Sequence, residues 1–121
     1  METEELSKSE IYKKRGNEFF RHHKYIEAVE QYTNAIQINK NISTYFSNRA
    51  RCWQILLKFQ KSYDDSLEAV ELDDKNIKAH KLVGESLAEL GKSDNNTKKM
   101  KNALKKITKG YCLFDDVIWV F

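Results

Sequence analysis

The sequence predicts an all-α solenoid of three helix-turn-helix repeats, six helices in all, closed by a short capping helix. Small residues recur at one interval. Gly16, Ala50 and Gly84 stand 34 residues apart, each with a ring one turn upstream, at Tyr12, Phe46 and His80. A second series, Ala35, Ala69 and Ala103, keeps the same interval, which is the length of a two-helix unit that buries its apolar face by stacking on its neighbours. The chain also contains no proline, so no ring interrupts a helix.

The period divides the chain into a tail over 1–8, repeats over about 9–42, 43–76 and 77–110, and a capping segment over 111–121. In the first repeat, Ser7 followed by Glu10 reads as a capping box that opens a helix. Tyr12, Gly16, Phe19 and Phe20 then fall on one stripe, with Gly16 admitting a neighbouring helix closely. Arg21 to Lys24 is the turn. The return helix offers Tyr25, Ala28, Val29, Tyr32, Ala35 and Ile36 as a nearly continuous apolar face.

The second repeat is expected to bury Phe46, Ala50, Trp53 and Leu57 against Phe59, Tyr63, Leu67, Ala69 and Val70. Ser62 and Ser66 take the places of Ala28 and Tyr32, which weakens the packing but leaves the period intact. In the third repeat Ile77, His80, Gly84, Leu87 and Leu90 continue the stripe, and Gly91 is a helix stop. Ser93, Asn96 and Thr97 make the sixth helix polar in its first turn, with Met100, Ala103, Leu104 and Ile107 left to pack. The apolar residues around Asp115 and Asp116 suit a short cap over the last exposed face, one that ends abruptly at Phe121.

Composition sets the limits on function. With 121 residues, 40% hydrophobic and 32% charged, the chain fits one soluble domain, and 21 basic against 18 acidic residues give a net charge of only +3, too little for a global pull towards nucleic acid. Cys52 and Cys112 lie in unrelated contexts without zinc spacing, as reduced thiols do in a cytosolic protein. The polar amino terminus is unlike a secretory signal, and no apolar run approaches a membrane span. A cytoplasmic location is expected, with the nucleus also open to the chain.

The first helix of each repeat lines the concave side of such a solenoid, where a peptide can lie. Lys13 and Asn17 share a face there, four residues apart. Asn48 comes from the next such helix and Lys78 from the third. Two ammonium groups and two amides from three consecutive helices suit a carboxylate.

With these residues the sequence resembles the carboxylate-clamp tetratricopeptide domains of co-chaperones, whose pattern is Lys-x-x-x-Asn, then Asn, then Lys in successive repeats. Within that family it is most similar to the CHIP-type ubiquitin ligases, through Arg15-Gly16-Asn17, Lys24-Tyr25, Tyr45 to Ala50, Glu71-Leu72-Asp73 and Ile77 to His80. The resemblance covers most of 9–116. It implies binding of the carboxy-terminal Glu-Glu-Val-Asp of cytosolic heat-shock chaperones of the seventy and ninety classes, by Lys13, Asn17, Asn48 and Lys78. It further implies an apolar pocket drawing on Phe20 and Leu82, and a contact from Asp116. Many clamp domains carry a second basic residue one turn after the third-repeat lysine; here Leu82 stands in that place, as an apolar residue does in the CHIP type.

Such an adaptor needs no cofactor and no metal, and its partners include no nucleic acid and no membrane; the chain is expected to act as a monomer. No nucleophile, base and orienting group can be assembled, since His22 and His23 sit in a turn and His80 replaces a core aromatic. Asp64-Asp65 and Asp73-Asp74 read as caps and solvated charge. The ligases of this type carry their transfer activity in a U-box, which these 121 residues do not include. The other reading rests on Lys98, Lys99, Lys101, Lys105, Lys106 and Lys109, a basic late helix that is either a solvated face or a surface for nucleic acid or an anionic membrane.

Overall fold

A computed structural model describes residues 2–92. The sixth helix, the capping segment, Cys112 and Asp116 lie outside the described residues. Five helices follow one another in antiparallel order: α1 (Glu2–Arg21), α2 (Tyr25–Ile38), α3 (Ser43–Ile55), α4 (Phe59–Leu72) and α5 (Ile77–Leu90). The hairpins α1–α2 and α3–α4 stack through α2 against α3, and α5 closes on α4.

α1 starts at Glu2 and not at a capping box on Ser7. Residues 2–8 contain neither glycine nor proline, and acids at the front of the helix suit its positive end. The stretch expected as a tail therefore extends the first helix. Glu10 ties the helix to its surroundings instead of capping it. Its carboxylate accepts from Lys13 Nζ at 2.8 Å and from the Tyr45 hydroxyl at 2.5 Å. These two donors hold it below the usual carboxylate range, Lys13 first. Tyr45 is fully buried and also meets Ser9 Oγ at 2.8 Å, which joins α3 to α1. Burial first, and the bond to Glu10 second, push the Tyr45 phenol up to about 12.

The turns repeat with the same 34-residue interval as the core. His23 and Leu57 both have left-handed backbone, with φ of 60° and 62°. Around them Lys24 N donates to Phe19 O and His23 N to Phe20 O, and Lys58 N to Trp53 O and Leu57 N to Gln54 O. This is the Schellman closure of a helix end, twice over. Leu57, expected in the core, is the turn residue instead and is 71% exposed. Ile77 is likewise exposed rather than part of the stripe. Gly91 does end α5, with its N–H on Leu87 O.

α2 buries Ala28, Val29, Tyr32, Ala35 and Ile36 as expected. Gly16 is where Tyr32 lies against α1. A methyl group on Gly16 would stand 2.6 Å from Tyr32 Cε1. Gly16→Ala is therefore expected to lower stability by about 1–3 kcal/mol through overpacking, despite the better helix propensity of alanine, as read by denaturant unfolding. An unchanged midpoint would mean that the ring yields freely.

Between the second and third repeats hydroxyls replace methyls. Ser62 and Ser86 are both fully buried and bond each other at 2.9 Å. Of the two serines that look like packing defects in the sequence, Ser62 is thus satisfied across the α4–α5 contact, and Ser66 within α4, where its hydroxyl donates to Tyr63 O at 3.0 Å. Asn76 works in two directions: its Oδ1 accepts from Ala79 N as the cap of α5, and its Nδ2 donates to Ser43 Oγ at 2.8 Å and Ser47 Oγ at 3.3 Å on α3. Asp65 is not solvated charge. It takes Nε and Nη2 of Arg49 at 2.7 and 2.8 Å and Trp53 Nε1 at 3.0 Å, while Arg49 Nη1 reaches Thr33 Oγ1 at 3.1 Å. The two charged side chains are only 19% and 12% exposed.

Candidate functional site

A cavity of about 600 Å³ opens between α1, α3 and α5, lined by Asn17, Phe20, Asn48 and Lys78 together with Lys14, Arg51 and Tyr32. The helices bring these groups together because each supplies the same face of its repeat. Phe20 forms an apolar wall, its ring edge-to-face with Tyr25 at 5.3 Å.

The polar groups are already oriented. Tyr32 OH donates to Asn17 Oδ1 at 2.6 Å, and Lys78 Nζ donates to Asn48 Oδ1 at 2.9 Å. Each amide therefore has its oxygen occupied and its nitrogen left as a donor. Burial pushes the Tyr32 phenol up, so it stays a neutral donor. Lys78 is an exposed residue, but its ammonium lies down on Asn48, and burial first and the charge of Arg51 second lower its pKa. No carboxylate lies within ion-pair distance of Lys78 or Arg51 among the described residues. The lining acid, Glu18, is engaged by Arg21 one turn along α1. The cavity thus offers donors and cations and calls for an acceptor.

Two expected site residues do not line the cavity, and a third cannot be placed against it. Lys13 does not line the cavity, because Glu10 holds its ammonium. Leu82 is 1% exposed and contributes no cavity surface. Asp116 lies outside the described residues. Conversely, the motif does not point to Lys14, Arg51 or Tyr32. Arg51 is within reach of the period: it stands 34 residues after Asn17 and so occupies the same face of the next repeat. Cys52, beside Arg51, is buried, and that burial raises its thiol to about 12. No group of metal-ligating side chains occurs among the described residues, nor is any described helix long and apolar enough to cross a membrane.

Similar folds occur around bound acidic tails. The second TPR of Spaghetti (RPAP3), solved with the HSP90 peptide SRMEEVD, superposes with a TM-score of 0.77 at 27% identity over 95% of this chain and 100% of the other. The chain is a tetratricopeptide-repeat (TPR) domain. A second solved TPR domain, that of human RPAP3 in complex with the HSP70 peptide SGPTIEEVD, matches with a TM-score of 0.72 and 27% identity over 89% of this chain and 88% of that one. Among curated proteins, the E3 ubiquitin-protein ligase CHIP of Arabidopsis thaliana is 30% identical over 96 residues, 79% of this TPR chain and 34% of the ligase. The chain spans about a third or less of the length of the curated relatives it matches. No family model matches.

Proposed function

We propose that this TPR domain is a protein-interaction adaptor that reads the acidic carboxy-terminal tail of heat-shock chaperones. The observation that carries the reading is a lining rich in donors: two amides whose oxygens are occupied, beside an ammonium that has no counter-ion among the described residues. A peptide carboxylate is the acceptor that fits, through charge-assisted hydrogen bonds of about 1.5–3 kcal/mol each before ordering costs. The related domains that hold tails ending in Glu-Glu-Val-Asp, of both the seventy and ninety classes, support it.

In this reading Asn17, Asn48 and Lys78 take the terminal carboxylate and Phe20 meets the apolar residue before it. Lys13 joins by exchanging Glu10 for the ligand. Asp116 adds a contact from beyond the described residues. The similarity to CHIP favours a place for the domain as the chaperone-recognition part of a ubiquitin ligase. A flexible tail that must be ordered on binding suits micromolar affinity, about 8 kcal/mol.

The test compares a peptide ending in free Met-Glu-Glu-Val-Asp with its carboxy-terminal amide. Calorimetry is expected to give at least tenfold weaker binding for the amide, which keeps every side chain and loses one charge. Equal affinities would sink the clamp.

A further inference from the structure

Two like charges, Lys78 and Arg51, line the cavity with no carboxylate at ion-pair distance from either among the described residues, and only one belongs to the clamp pattern. Arg51 projects from α3 one turn beyond Asn48, lines the same space as Lys78 and lies near enough to disfavour its charge. It is exposed and has no hydrogen bond or ion pair among the described residues. The other arginine of α3, Arg49, is by contrast committed to Asp65 and Thr33. Holding two unneutralised cations side by side opposes the folded state, so the arrangement finds its compensation in a ligand that brings more than one negative group.

The position one turn after Lys78 is also informative. Leu82 fills it and is buried, so α5 offers no second cation to the groove there. We propose that Arg51 supplies that cation from the neighbouring helix and pairs with a side-chain carboxylate of the bound tail, making the domain selective for acidic tails over tails that merely end in a free carboxylate. A guanidinium is suited to this pairing, because its planar fork takes a carboxylate through two parallel hydrogen bonds where an ammonium takes one. The inference rests on the tail-binding reading and adds to it a division of labour: Lys78 and the amides for the chain terminus, Arg51 for an acidic side chain.

The experiment is a cycle of two peptides and three proteins. One peptide ends in Glu-Glu-Val-Asp and the other in Gln-Gln-Val-Asn, both with free carboxylates, and each is titrated into the wild-type chain, Arg51→Ala and Arg51→Lys. Arg51→Ala is expected to bind the acidic peptide about tenfold more weakly and the neutralised peptide less than about twofold more weakly. Arg51→Lys is expected to fall between wild type and alanine on the acidic peptide only. Because Arg51 has no structural partner among the described residues, circular dichroism should give the same unfolding midpoint for Arg51→Ala as for wild type or a slightly higher one. Equal losses on both peptides, or no loss on either, would overturn the assignment. A wild-type chain that cannot tell a free acid from an amide brings down the clamp reading itself, whereas one that discriminates but is indifferent to Arg51→Ala brings down only this inference.

Discussion

Lys78→Ala is expected to weaken binding of the acidic tail by at least about 1.5 kcal/mol, more than tenfold, while Lys105→Ala costs only a few tenths of a kcal/mol. Both changes remove one positive charge. Lys78 lines the cavity and has no counter-ion among the described residues, so its loss deletes a direct partner of the proposed ligand. Lys105 belongs to the late basic stretch, outside the described residues and outside the clamp pattern, and a charge that makes no direct contact with a ligand acts only through a field screened within about 8 Å at physiological salt. The pH profile of wild-type binding is a second check. The free domain holds the Lys78 pKa below that of an ordinary lysine, and a bound anion raises it again, so binding takes place to the protonated form. Affinity is then fully present below the lowered pKa and is lost as pH rises through it. Equal effects of the two substitutions would transfer the binding surface to the basic stretch and favour a nucleic-acid or membrane-surface module.

Arg49→Ala is expected to destabilise the domain by about 3 kcal/mol, on the order of 10 °C in Tm, because it leaves Asp65 as a shielded carboxylate with only the Trp53 indole to serve it. The double change Arg49→Met with Asp65→Leu should recover most of the loss, since an apolar pair of similar bulk removes both charges together. A single-mutant cost under about 1 kcal/mol would mean that water reaches the pair and that it behaves as a surface ion pair.

The period carries most of the fold. Spacing alone places the stripe of α2, the close approach at Gly16 and the stop at Gly91, since these depend on residue size at fixed intervals. It misleads where a residue's role depends on backbone conformation or on a distant partner. Leu57 is apolar and in phase with the stripe, yet it falls at a left-handed helix end, which only the equivalence with His23 could flag. Asp65 looks like surface charge because its partner, Arg49, is 16 residues away on another helix. Ser7 and Glu10 match a capping box in spacing, but the residues before them are themselves compatible with helix. In the site, the motif leads to Asn17, Asn48 and Lys78, the groups whose placement follows from one face per repeat. It does not foresee that Glu10 holds Lys13, that Leu82 turns inward, or that Arg51 takes up part of the groove.

Asn76 fixes the spacing of two helices that line the cavity. The same amide that caps α5 grips α3 through Ser43 and Ser47, five residues and one residue before Asn48, and Lys78 follows it by two. The gap between α3 and α5, which carry Asn48 and Lys78, is therefore set while the chain folds, by three directional bonds. If the domain binds a tail as proposed, its side comes preorganised, and nearly all of the conformational freedom lost on association belongs to the peptide.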